Sequence, residues 1–286
     1  MRIGFVLPGL LLVLVTGCTS TKPQPTPAPS APPSVSPSPS PSPSGSPSPS
    51  TSPSRTTPPP KKPTGGPITP PPPAKGFGPG GSELKTGSDS VALTFDDGPW
   101  AENTPQILDL LKAHSVKASF CVIGKHAHIY PDLIRRIHAD GHTFCNHSWA
   151  HDMELRNRGE AAIRDDLAAT NLAIREAVPG AQIGYFRAPG GNFDTSLVGI
   201  AKSMGMTSLY WHVDPRDWEF TKYPPGQAMV NNIIARVQGN TRRGSIVLSH
   251  DKSKPDTVTA YQTLLPWLKQ RFTLVALPPN GKLPSP

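Results

Sequence analysis

The run VALTFDDGPW at residues 91–100 ends on two adjacent carboxylates, Asp96 and Asp97. A carboxylate can ligate a cation or exchange a proton with water, and neighbours on a strand point to opposite sides, so the two are expected to divide those jobs. Val91, Leu93 and Phe95 alternate with smaller residues, and Gly98-Pro99 stops the run. The pair therefore sits at a strand's C-terminal edge, where α/β folds place their chemistry. Alone, Asp-Gly is an ordinary turn dipeptide. Four later stretches give it company.

In NHSWAH, His147 and His151 are four apart, and a helical turn would bring both imidazoles to one side of a shared cation. Asp96 or Asp97 would supply a third ligand. In YFRAPGGN, Arg187 ends a strand, where a guanidinium can hold a carboxylate in bidentate geometry. The following Pro189-Gly190-Gly191 turn exposes backbone N–H groups suited to a developing oxyanion. In VDPRDW, Trp218 offers a pocket wall and Asp217 a carboxylate that orients a neighbour. In IVLSHD, a buried strand delivers His250. The histidines at 114, 126, 128, 138, 142 and 212 receive no role.

The elements that must carry these residues alternate. Strands are expected at 91–95, 116–122, 143–146, 184–187, 207–213, 245–248 and 272–276, with helices at 104–113, 126–139, 160–177, 195–204, 227–237 and 257–269. The helix from Glu160 shows Ala161, Ile163, Leu167, Ala168, Leu172 and Ile174 mostly on one face. Such a β/α succession predicts a parallel sheet closed, or nearly so, into a barrel whose strand ends meet on one face.

Before this region the texture differs. The chain has 286 residues, 38 prolines and a formal net charge of +8. Residues 19–82 are rich in Pro and Ser, lack Asp and Glu, and carry Lys22, Arg55, Lys61, Lys62 and Lys75, so most of the charge belongs to them. The basic balance is thus no argument for nucleic-acid binding by the folded part. Too poor in apolar side chains for a core, this stretch reads as an extended tether. Ahead of it, MRIGFVLPGLLLVLVTGC reads as an export signal. Val15-Thr16-Gly17-Cys18 resembles a lipobox, which implies cleavage before Cys18, a lipid on its sulfur and a membrane anchor. A plain signal peptide is the other reading. The expected boundaries are 1–17 for the signal, 18–82 for the lipidated cysteine and linker, 83–277 for the catalytic domain and 278–286 for a tail. Export permits a disulfide between the two remaining cysteines, Cys121 and Cys145; two buried free thiols are the alternative.

TFDDGP, HSWAH, RAPGG, DPRDW and LSH occur in the order and spacing of the five motifs of the polysaccharide deacetylase family, the NodB homology domain of carbohydrate esterase family 4, which the chain resembles over about residues 84–277. The resemblance implies a distorted (β/α)7-type barrel and a divalent metal, zinc first with cobalt, manganese or nickel as alternatives. It further implies hydrolytic removal of acetyl groups from polysaccharide. Carried over by position, Asp96 resembles the general base, and Asp97, His147 and His151 the metal ligands. Arg187 is similar to the arginine that orients the base, Asp217 to the carboxylate that tunes the catalytic histidine, and His250 to that general acid. Gly190 matches the oxyanion position, and Trp218 and Leu248 the walls around the acetyl methyl. Gly190 is also a departure, since the family often has Tyr there. Peptidoglycan, reached as a monomer from the outer face of the cytoplasmic membrane, is the expected substrate; chitooligosaccharide or acetylated xylan comes second. A wall-binding lipoprotein without activity is the non-enzymatic alternative.

Overall fold

In β1 (Val91–Asp96) the side chains of Val91, Leu93 and Phe95 join the main hydrophobic core, while Ala92 belongs to a smaller cluster on the opposite face. This period-two alternation divides the molecule into an outer layer, between sheet and helices, and a narrow interior. The computed structural model describes residues 77–284, so the expected signal, Cys18 and most of the tether lie outside the described residues. Among the described residues, no helix is long and apolar enough to cross a membrane.

Among the described residues the sheet has seven strands, all parallel. β2 (Ser119–Val122), β3 (Thr143–Asn146), β4 (Tyr185–Phe186) and β5 (Thr207–Ser208) follow one another on one side of β1. The other side of β1 carries β6 (Ile246–Val247) and β7 (Leu274–Val275). Beyond β5 the chain reaches across to β6, where Val213 pairs with Val247 and the His212 N–H donates to the Ile246 carbonyl at 2.9 Å. The sheet thereby curls into a distorted barrel. The expected long strand over 207–213 is consequently broken: Tyr210 N–H donates to Glu83, and the segment spends itself crossing from β4 to β6.

Among the described residues seven α-helices surround the sheet: α1 (Thr104–Ala113), α2 (Gly124–Ile129), α3 (Pro131–Ala139), α4 (Glu160–Ala177), α5 (Thr195–Ser203), α6 (Gln227–Asn240) and α7 (Pro255–Lys269). The single helix expected over 126–139 is two, because Pro131 excludes Tyr130 from helical backbone; Tyr130 sits at φ −120, ψ 57. In α4, Ile163, Leu167 and Ile174 are buried, but Ala161, Ala168 and Leu172 face solvent and Asn171 faces inward. Asn171 is drawn in because its Oδ1 accepts the Asn146 Nδ2–H at 2.9 Å, tying α4 to the end of β3.

The folded body extends past both expected edges. Residues 77–82, assigned to the linker on composition, form a bridge from Phe77 to Glu83 and a 3₁₀ turn at Pro79–Gly81, with Ser82 fully buried. At the other end the Gly281 carbonyl accepts the Thr207 hydroxyl at 2.7 Å, and Leu283 packs on the interior cluster. Pro and Gly there shape packed turns rather than free chain. Cys121 and Cys145 are register partners on β2 and β3, completely buried and joined as a disulfide inside the barrel.

Candidate active site

Arg187 is the largest fully buried side chain and fills the barrel interior just below the strand ends. Its Nη1 donates to Asp96 Oδ1 at 2.7 Å and to Thr94 Oγ1 at 2.8 Å. Its Nη2 donates to the Tyr210 carbonyl at 2.9 Å and its Nε to that of Leu209 at 3.4 Å. The expected bidentate grip on a carboxylate is therefore not formed, because backbone carbonyls take the other nitrogens. One oxygen of Asp96 is held and Oδ2 is left toward the site, 3.7 Å from His147 Nε2.

Asp97 follows at φ 75, a left-handed conformation that non-glycine residues adopt only when neighbours hold it. His126 is one such holder: its Nδ1–H donates to the Asp97 carbonyl at 2.7 Å. No spacing signal links His126, on α2, to the β1 edge, and the motif reading passed over it. The Asp97 carboxylate meets His147 Nε2 at 3.5 Å and His151 Nε2 at 3.4 Å.

The two histidines are brought together differently from the helical turn that their spacing suggested. Residues 147–152 are a loop, with Ser148 at φ 62 and His151 at φ 57. The loop is pinned from outside: Asn146 Oδ1 accepts the Ser148 N–H at 2.9 Å and Asp166 Oδ1 the Trp149 N–H at 2.8 Å. His147 Nδ1–H donates to the Arg187 carbonyl at 2.8 Å, which fixes the tautomer that presents an Nε2 lone pair.

This cluster fits a divalent cation. Asp97, His147 and His151 offer ligand atoms all within 4.8 Å of one another. Two ligands each about 2.1 Å from a zinc ion at a tetrahedral angle stand about 3.4 Å apart, close to the separations found. Asp97 Oδ1 is also buried without a hydrogen-bond partner among the described residues, an orphan that a cation would satisfy. Burial pushes the Asp97 carboxyl up, but the surrounding imidazoles of His147, His250 and His151 hold it well below the usual carboxylate range. Burial and the charge of His147 push His151 down, toward the neutral form a ligand needs.

Across the pocket, His250 Nδ1–H donates to Asp217 Oδ1 at 2.7 Å, and its backbone N–H donates to Asp217 Oδ2 at 2.9 Å. Thr257 Oγ1–H adds a third bond to Asp217, at 2.8 Å. Burial pulls the imidazole down, yet the Asp217 charge and hydrogen bond raise it to about 9. Its Nε2 is left for the pocket.

The pocket itself holds about 290 Å³ and is lined by Asp96, Asp97, His147, His151 and His250 with Gly190, Trp218 and Leu248, while Arg187 and Asp217 stand behind it. Leu248 is buried and Trp218 half open to solvent. Gly190 has a left-handed backbone, and a Cβ built there would come within 2.3 Å of Met153 Cε, so Met153 fills the space that a side chain at this position would enter. Trp211 and Met153 are walls that the motif reading did not name; the aromatic pair Tyr210-Trp211 at the strand end was the available signal.

A sequence model of polysaccharide deacetylases matches residues 83–209. A chitooligosaccharide deacetylase of Sinorhizobium fredii is 38% identical over 208 residues, covering 68% of this chain and 93% of its own length. The chain belongs to the polysaccharide deacetylase family. A peptidoglycan-N-acetylglucosamine deacetylase of Bacillus cereus is 33% identical, covering 68% of this chain and 90% of that protein. Among solved structures, the Bc1960 peptidoglycan N-acetylglucosamine deacetylase, in complex with 4-naphthalen-1-yl-N-oxidanyl-benzamide, superposes with a TM-score of 0.61 at 32% identity, covering 67% of this chain and 87% of its own. Family membership makes this polysaccharide deacetylase a hydrolase, and the split among its relatives leaves the glycan to be argued.

Proposed function

We propose that the protein removes N-acetyl groups from the amino sugars of peptidoglycan, with Asp96 as general base and His250 as general acid. The observation that carries this reading is the placement of those two groups in one pocket with the Asp97, His147 and His151 cluster between strand ends. A divalent cation held by that cluster would acidify water and polarise the acetyl carbonyl. Arg187 fixes Asp96 Oδ1, so Oδ2 is the oxygen that accepts the proton of the attacking water. Collapse of the tetrahedral adduct breaks the C–N bond, and the departing nitrogen needs a proton because an amide anion is a very poor leaving group. His250 Nε2 gives it, and the imidazolium is maintained by Asp217. Gly190, Trp218 and Leu248 line the same pocket, where Gly190 would meet the oxyanion and Trp218 and Leu248 the acetyl methyl.

Peptidoglycan is favoured by the tether and the lipobox-like Cys18, which together suit an enzyme anchored on the outer face of the cytoplasmic membrane and reaching into the wall. A lipid-adduct mass on Cys18 of membrane-extracted protein tests the anchor; a water-soluble mature form starting elsewhere contradicts it. Chitooligosaccharide is the second reading, favoured by the 38% identity to a chitooligosaccharide deacetylase. Acetate release by the metal-loaded full chain from peptidoglycan, chitotetraose and acetylated xylan decides between them. The fastest release is expected from peptidoglycan, and release only from the other glycans would overturn the assignment. Asp96→Asn should keep the metal and lose about 10²–10⁴-fold in turnover.

A further inference from the structure

The wall formed by Gly190, Trp211 and Trp218 has a second side. Beyond it lies an open cleft of about 960 Å³ that shares those three lining residues with the catalytic pocket. Its aromatic part is a Tyr210–Trp211 pair with ring centroids 3.9 Å apart and planes 11° from parallel. Flat aromatic surface beside a hydrolytic pocket is where the apolar face of a neighbouring sugar ring stacks.

The cleft's charges are not balanced. Two carboxylates line it, and both are engaged. Glu219 is paired with Arg216, whose Nη1 donates to both carboxylate oxygens at 3.1 Å. Asp214 accepts the Arg216 backbone N–H at 2.7 Å and the Trp218 Nε1–H at 3.3 Å. Arg236 and Arg242 line the same cleft and, among the described residues, neither has a carboxylate partner. Arg236 is held in place by neutral groups, with Nε donating to Asn232 Oδ1 at 2.9 Å and Nη2 to the Tyr223 hydroxyl at 3.1 Å. Arg242 Nη1 donates to the Thr241 carbonyl at 2.8 Å. Guanidinium groups fixed by neutral partners and still short of an anion match a planar carboxylate.

We propose that this cleft binds a carboxylate carried by the glycan next to the sugar being deacetylated, with Arg236 and Arg242 as its readers. The inference rests on the peptidoglycan reading and deepens it. Chitooligosaccharides are uncharged, whereas alternate sugars of peptidoglycan bear a lactyl ether whose carboxylate is either free or extended by a peptide that ends in one. Discrimination between the two glycans then comes from this cleft and not from the acetyl pocket, which sees the same N-acetyl group in both.

The test uses metal-loaded full chain and three glycans of equal length: chitotetraose, a peptidoglycan tetrasaccharide with bare lactyl groups, and the same tetrasaccharide with its peptides. Arg236→Gln/Arg242→Gln should raise KM about tenfold for a carboxylated glycan with little change in kcat, so the ratio of kcat/KM between carboxylated and neutral glycans falls about tenfold. A fall already seen with bare lactyl groups assigns the anion to the sugar; a fall confined to the peptide-bearing glycan assigns it to the peptide. An unchanged ratio overturns the proposal. For unmodified protein, raising salt from about 20 mM to about 0.5 M should lower the same ratio by screening, and insensitivity to salt also overturns it. Should no acetate be released from either carboxylated glycan, the peptidoglycan assignment fails. The cleft is then judged by equilibrium binding alone, followed by tryptophan fluorescence: tighter binding of the carboxylated glycans than of chitotetraose supports it, and equal binding overturns it.

Discussion

His250 Nδ1 lies 2.7 Å from Asp217 Oδ1, and both groups are withdrawn from solvent, so the proton that joins them is shielded from exchange with bulk water. Burial would lower the imidazole, but the buried carboxylate raises it to about 9, and it therefore stays protonated through neutral pH. A general acid works only in its protonated form, so deacetylation should hold to about pH 9 and fall above it. In Asp217→Asn the basic limb should move toward the ordinary imidazole value of about 6.5. A pH–rate profile of both forms checks this, and coincident basic limbs would contradict the role given to Asp217. The same pair contributes stability below about pH 6.5 that is lost as pH rises through about 9.

The cluster of Asp97, His147 and His151 predicts how metal is held. His147→Ala removes one ligand and leaves Asp97 facing a single imidazole, so metal content after dialysis should drop to a small fraction of that of the unmodified protein. Because the histidines must be neutral to ligate, affinity should weaken as pH falls and protons compete for the two imidazoles. Metal analysis and a competition titration at several pH values measure both, and unchanged metal content in the variant would remove His147 from the ligand set.

Gly190 predicts a cost of a different kind. Its φ of 61 is left-handed, and a Cβ would meet Met153 Cε at 2.3 Å. Gly190→Ala should cost about 1–2 kcal/mol of stability from backbone strain and reduce turnover by reshaping the pocket. Adding Met153→Ala should relieve the steric part and leave the backbone part. Thermal melts of the single and double variants separate the two contributions, and a Gly190→Ala protein as stable as the parent would show that this glycine is free to vary.

How much of this was legible beforehand follows physical lines. Asp96, Arg187 and His250 could be placed at strand ends because short apolar runs stop abruptly at polar residues, and a strand's periodicity survives even where only two residues pair, as in β4 and β6. The α2–α3 break, by contrast, needs the local veto of Pro131 to be weighed above helical periodicity. The left-handed turns at Asp97, Ser148 and His151 carry no compositional mark, since the bonds that hold their segments come largely from partners distant in sequence: His126 on the Asp97 carbonyl, Asp166 on the Trp149 N–H and the Arg187 carbonyl on the His147 ring. Packed turns at 77–82 and 278–284 were hidden by a composition shared with the tether.

The disulfide between Cys121 and Cys145 closes a loop of sequence separation 24 and ties β2 to β3 just before His147. Chain-entropy arguments give such a closure about 3 kcal/mol. Replacing both cysteines by Ala should lower the denaturation midpoint accordingly while leaving metal content near that of the parent, since the histidine loop is pinned by Asn146 and Asp166. Chemical denaturation with and without the bridge measures it, and an unchanged midpoint would mean that native packing alone sets the stability.

The central guanidinium of Arg187 serves two masters. It steadies one oxygen of Asp96, and it also satisfies the Thr94 hydroxyl and two backbone carbonyls in the middle of the barrel. Inheritance cannot separate these duties. A descendant that abandoned hydrolysis could let its metal ligands drift within a few substitutions, yet would have to rebuild the barrel's interior before it could part with the arginine. Losing the ligands while retaining Arg187 is therefore the mark that a retired enzyme of this lineage should carry.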